Sequence, residues 1–140
     1  MEDDMTLTEF LLARIAEDEE VARGAGRDDA WEQGERYHER NVVRPVGGFD
    51  WVGVSGDRLD IPVLTAQSSS TPRELFEGRA RHIARHDPAR VLAECEAKRL
   101  IVEHFSETGI DFLGEIARVP LRALAAVYAD HPDYDEAWRP

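Results

Sequence analysis

The sequence predicts an α+β fold, mostly helical, in which four or five helices pack with a small antiparallel β-meander in a single domain spanning 1–140. Three observations point there. Capping residues open apolar-periodic stretches at Thr6, Thr71 and Asp87. β-branched and aromatic residues concentrate between Asn41 and Leu64, divided by glycine-containing turns. No apolar run approaches the length of a membrane span.

The first helix follows from Thr6-Leu7-Thr8-Glu9, a capping box in which hydroxyl and carboxylate each satisfy an orphan amide. Leu7, Phe10, Leu11 and Ile15 then recur at helical spacing, so a helix is expected over 7–23. Its later turns carry Glu17, Asp18, Glu19 and Glu20, read as a solvated face. Gly24-Ala25-Gly26 supplies a stop and a flexible joint. The charged stretch from Arg27 to Arg40, with Trp31, Tyr37 and His38, fits a short helix, the reading adopted, or an irregular connection anchored by Trp31.

The small sheet is expected over 41–64, with strands around Val42 to Val46, Phe49 to Val54 and Ile61 to Leu64. Pro45 and Pro62 must lie at edges or strand ends, because proline offers no amide to the ladder. Thr65 to Ser70 reads as a polar linker.

A helix pair is expected over 72–105. Thr71-Pro72-Arg73-Glu74 reads as a second capping box with proline at the first helical position. Leu75, Arg79, His82 and His86 fall on one stripe, which this reading turns inward with Phe76 and Ile83 at its flanks. Asp87-Pro88 ends that helix and starts the next, Asp87 capping the new amides. Val91, Leu92, Cys95, Ile101, Val102 and Phe105 form the apolar face of the second helix. Glu94 and Lys98 interrupt it at i,i+4, and Arg99 lies at its margin, within reach of solvent or a neighbouring helix.

C-terminal helices are expected over 110–129, interrupted at Val119-Pro120 and preceded by a turn at Glu107-Thr108-Gly109. The tail, 130–140, is acidic and aromatic; Tyr134 and Trp138 either pin it to the core or present it to a partner.

Charge and cysteine usage bound the function. With 17 basic and 29 acidic residues the formal net charge is −12. That balance argues against direct nucleic-acid binding and against anionic membranes, and it suits a cation, a basic or nucleic-acid-binding protein partner, or simple solubility. Cys95, the single cysteine, cannot form an internal disulfide, and Met1-Glu2-Asp3-Asp4 is acidic where a secretory signal is basic. A cytoplasmic protein is expected.

His82 and His86, four residues apart, can chelate a divalent metal such as zinc, with Asp87 as the nearest third ligand and Glu94, Cys95 or His104 as others. No glutamate follows His82 as a metalloprotease motif requires. The structural alternative has both imidazoles hydrogen-bonded at helix ends. Glu94 and Lys98 read either as a semi-buried ion pair or, with Arg99 and the histidines, as a pocket for a small charged ligand. Cys95 in a mid-helix apolar setting is a poor nucleophile.

Two stretches carry a family resemblance: His82-Ile83-Ala84-Arg85-His86-Asp87-Pro88-Ala89-Arg90-Val91-Leu92-Ala93-Glu94 with Glu96-Ala97-Lys98-Arg99, and Tyr128-Ala129-Asp130-His131-Pro132-Asp133-Tyr134 with Trp138-Arg139-Pro140. Together they resemble a family of short acidic proteins of unknown function from high-GC Gram-positive bacteria and their phages. The resemblance implies a bacterial or phage cytosolic setting and supplies no catalytic residue. The expected function is that of a small interaction or regulatory protein without catalytic activity, engaging a protein partner through its charged surface or through Tyr134 and Trp138. A metal-dependent, hydrolase-like enzyme centred on His82, His86 and Asp87 is the alternative, and a homo-oligomeric assembly protein the third.

Overall fold

The computed structural model describes residues 5–26, 30–34, 42–45, 50–52, 58–60, 64–65, 72–106 and 111–140. Among them the fold is mostly helical with a small antiparallel β component. Four α-helices span Leu7–Gly26 (α1), Arg73–Arg85 (α2), Pro88–Ser106 (α3) and Asp111–Ala126 (α4), and a 3₁₀ turn spans Glu136–Trp138. Five short strands lie at Trp31–Gln33 (β1), Val42–Pro45 (β2), Asp50–Val52 (β3), Arg58–Asp60 (β4) and Leu64–Thr65 (β5). Contacts group the chain into two compact units, one of Met1–Val21 with Leu92–Pro140 and one of Ala22–Val91.

In the first unit, α1 begins as its capping box dictates. The Thr6 amide donates to Glu9 Oε2 at 2.8 Å, and the Glu9 amide donates to Thr6 Oγ1 at 3.2 Å. Phe10, Leu11 and Ile15 are buried, as are Cys95 and Val102 of α3 and Leu121 and Ala125 of α4. Burial also pushes the Cys95 thiol upward, with the Asp18 charge adding to the effect. It packs as a small hydrophobe.

α4 runs through Pro120 without the expected interruption. Proline there forfeits one helical bond, to the carbonyl of Ile116, and the burial of Leu121 and Ala125 on one face holds the helix together across the gap. After Ala126 the chain tightens into i→i+3 turns, with Tyr128 donating to the Ala125 carbonyl at 2.9 Å and His131 to the Tyr128 carbonyl at 2.9 Å.

In the second unit, β2 lies between β1 and β5, both antiparallel to it, with Gln33 and Leu64 opposite Val43 on its two sides. β3 and β4 pair separately, Trp51 opposite Leu59. The topology is therefore a three-stranded sheet with a hairpin inserted between its second and third strands, rather than one meander. Pro45 occupies the last position of β2, where its missing amide is tolerated. Val43 is fully buried against Ala80 and Ala84 of α2, with Trp31 and Ile83 around them.

Three boundary readings change. Trp31–Gln33 is a strand rather than part of the short helix expected over Arg27 to Arg40, the rest of which is largely outside the described residues; its partners, Val43 to Pro45, lie further along the chain, and only pairing reveals it. α1 continues through Gly24 to Gly26, because glycine weakens a helix by about 1 kcal/mol without ending it. α2 begins at Arg73 with Pro72 as its cap residue, and among the described residues no side chain caps it. The cap read at Thr71, the turns at Gly47-Gly48, Ser55-Gly56-Asp57 and Glu107-Thr108-Gly109, the Ser68 to Ser70 linker, and Tyr37 and His38 lie outside the described residues.

Candidate functional site

Asp87 is the most committed of the predicted site residues. It is buried at the α2–α3 junction, where the sequence placed a cap. Its Oδ1 accepts the Arg90 amide at 2.8 Å, satisfying one orphan donor of α3, and its Oδ2 accepts the Trp31 amide of β1 at 3.0 Å. One carboxylate thus ties a helix start to a strand start. Gln33 Nε2 donates to the Glu77 carbonyl at 3.0 Å and ties the same strand to α2.

His82 and His86 are exposed, which corrects the inward placement of their stripe. Leu75 and Arg79 are exposed with them, and the buried face of α2 is the one bearing Ala80 and Ala84. Small residues permit close approach to β2, whereas the imidazoles and guanidiniums gain more from water. The two rings lie 4.3 Å apart between centroids, and His86 Nδ1 is 2.9 Å from the His82 carbonyl, to which it donates as a helix-end cap. Each Asp87 oxygen accepts a backbone amide, so the carboxylate is held by the α3 start and by β1 rather than by the histidines. Among the described residues no group of three or more His, Cys, Asp or Glu could hold a metal ion.

Glu94, Lys98 and Arg99 belong to the other unit. Glu94 is exposed. Lys98 Nζ lies 5.9 Å from the centre of the Tyr128 ring, over its face, and Arg99 Nη2 crosses to Glu19 Oε1 of α1 at 2.9 Å. The neighbouring contact explains Asp18 as well: Tyr128 Oη donates to Asp18 Oδ2 at 2.6 Å. Burial, then that hydrogen bond, pushes the Tyr128 phenol well above its ordinary range. Glu17 in turn accepts from Arg14 Nη2 at 2.7 Å. Glu17, Asp18 and Glu19 each bond within the first unit, Asp18 and Glu19 half-buried, while Glu17 and Glu20 are exposed. Glu17 and Glu20, three residues apart, share an exposed face, and Asp18 and Glu19 reach Tyr128 and Arg99 instead.

The tail docks. Phe10 is the hub, with ring centroids of Tyr134 at 6.0 Å, Trp138 at 5.0 Å and Tyr128 at 6.3 Å, mostly edge to face. Buried Arg14 lies over the same ring at 5.2 Å and brings Nη1 to within 2.7 Å of His131 Nδ1. His131 Nδ1 also accepts the Asp133 amide at 3.1 Å. Arg14 Nε is buried and finds no hydrogen-bond partner among the described residues. Asp135 Oδ1 accepts the Ala137 amide at 2.9 Å and starts the 3₁₀ turn that presents Trp138. Sequence reasoning named Tyr134 and Trp138 but missed Phe10, Arg14 and His131 as their receptors; the arginine on the apolar face of α1 was the available signal.

One surface feature went unread. On α4, Ile116 and Val119 are 58% and 62% exposed and Ala123 is exposed too, and Val127, in the turn just after the helix, is 73% exposed. Offsets of three and four residues put Ile116, Val119 and Ala123 on one stripe, within about 60° around the helix axis. The opposite stripe, Leu121 and Ala125, is buried.

These features define a small, acidic, mostly helical α+β protein whose C-terminal aromatic tail completes a helical core. No helix of the described residues is long and apolar enough to cross a membrane. The chain matches the model of a family of unknown function, DUF6221, over residues 4–140, and it belongs to that family. No curated protein and no solved structure matches it.

Proposed function

We propose that this protein is a cytoplasmic, non-catalytic interaction protein that docks a basic protein on the exposed stripe of α4. The observation that carries the reading is the second apolar face of that helix, Ile116 and Val119 with Ala123, followed by exposed Val127 just beyond its end, alongside a first face already buried. A helix apolar on two sides normally has both covered, and contiguous exposed aliphatic residues mark protein contact sites. Charge selects the partner: at −12, long-range attraction favours a protein of the opposite sign and disfavours nucleic acid. A buried free thiol suits a reducing compartment.

The test is affinity capture on immobilised protein at low salt, beside an Ile116→Asp, Val119→Asp double variant whose circular dichroism matches the parent. A basic protein that the parent retains, the variant loses and moderate salt elutes is the expected result. Identical capture by parent and variant, or binding unchanged between low and high salt, overturns the reading.

A further inference from the structure

We infer that a cleft within the first unit, between the opening turn of α1 and α4, binds a small organic anion with an aromatic or apolar body. The cleft has a volume of about 400 Å³, within the ~300–1,000 Å³ of small-molecule sites. Its apolar walls are Leu7, Phe105, Leu121 and Trp138, two of them aromatic. Gly114 of α4 also lines it, and a Cβ built there meets nothing within 4 Å, so the missing side chain is part of the opening.

The polar groups decide the sign of the guest. Thr6 Oγ1 donates to Glu9 Oε2 at 2.8 Å, and Ser106 Oγ donates to the Val102 carbonyl at 2.5 Å. Thr8 Oγ1 is 3.1 Å from Ser106 Oγ, and since the Ser106 hydrogen is committed, Thr8 is the donor. All three hydroxyl hydrogens are thus spent inside the fold. The charged donors at the cleft are the guanidiniums of Arg118 and Arg122, four residues apart on one side of α4, with the Trp138 indole N–H as a neutral one.

Arg118 gives one N–H to Glu115 at 3.0 Å in an exposed pair, which leaves four. Arg122 is half-buried and makes no hydrogen bond or ion pair among the described residues. Two planar cations beside aromatic walls suit a carboxylate or phosphate joined to a flat body, gripped at its acidic end and stacked along the rest. The Glu9 carboxylate, bonded to the Thr6 amide, puts negative charge at the start of α1, so the seat for the anion is at the arginines. In a chain of net charge −12 this is a local reversal of sign, which concentrates an anionic ligand in the cleft.

The probe is anilinonaphthalene sulfonate, titrated by calorimetry against the full chain, with the uncharged phenylnaphthylamine as its comparison. One sulfonate per chain is expected, with the uncharged compound binding at least about tenfold more weakly. Arg122→Gln is expected to weaken the sulfonate by about tenfold or more, the scale of a charged hydrogen bond. Gly114→Leu, which fills open space and favours the helix, is expected to abolish binding while the melting temperature holds or rises. Competition by phenyl phosphate and by phenylacetate then tells which acidic group the arginines prefer. Equal binding of the uncharged compound, undiminished affinity in Arg122→Gln or in Gly114→Leu, or failure of both competitors to displace the sulfonate overturns the inference.

Discussion

Phe10 and Asp87 are the hubs of the two units, and they hold their surroundings by opposite means. Phe10 gathers rings from three places in the last stretch of chain, at Tyr128, Tyr134 and Trp138, through non-directional packing. Asp87 joins two elements through two directed hydrogen bonds from one carboxylate. The difference lies in how each fails. A packed hub loses stability in proportion to the volume removed, whereas a carboxylate hub fails when its two acceptors are lost and leaves donors without partners.

The largest expected effect is from Phe10→Ala, a loss of about 3–5 kcal/mol of unfolding free energy in urea titration, with the Trp138 environment shifting toward solvent. A loss below about 1 kcal/mol would mean that the tail contacts contribute little. Asp87→Ala comes next, at about 2–3 kcal/mol, combining a lost helix cap with an unsatisfied Trp31 amide. Asp87→Asn keeps one carbonyl acceptor and should recover roughly half of that. Equal losses in the two Asp87 variants would show that charge matters there rather than acceptor geometry.

Tyr128→Phe is expected to cost about 1–2 kcal/mol at neutral pH, through the hydrogen bond to Asp18. It carries a pH signature. The folded-state pKa of Tyr128 is raised from 10.0, so above about pH 10 the unfolded chain releases that proton first. Its contribution is complete below pH 10 and declines as pH rises further, so the parent should lose stability with pH more steeply than Tyr128→Phe in that range. Parallel curves would remove Tyr128 from the account. Smallest of all, His82→Ala and His86→Ala should each change stability by less than about 0.5 kcal/mol, because both rings are exposed. Metal analysis of parent and variants checks the same pair chemically.

How much of this was legible in the residues follows the same division. Signals that act within four residues were readable: the Thr6–Glu9 box, Asp87 as a cap, and the inward spacing of Phe10, Leu11 and Ile15. Interactions whose partner lies far away were not. The Glu17 to Glu20 run carries no sign that Tyr128 and Arg99 bond Asp18 and Glu19, and Trp31 reads as a strand only once β2 is beside it. Helical periodicity located a stripe on α2 but not its direction. With arginine and histidine on one side and only alanine on the other, the larger side chains were taken for the core, and the small ones were. Of the cleft, the Arg118 and Arg122 spacing was visible, but a cavity is a property of several helices together and has no local signature.

The pairing of α1 with the tail has a consequence for the chain while it is being made. Arg14 and His131, which meet beside Phe10, are 117 residues apart in sequence. At roughly 5–20 residues per second, α1 leaves the ribosome on the order of ten seconds before the segment that covers it. Throughout that interval Phe10, Leu11 and Ile15 lack their final partners, so the nascent protein is most exposed to chaperones and proteases at the end synthesised first. A ribosome stalled anywhere before Tyr134 would hold it in that state.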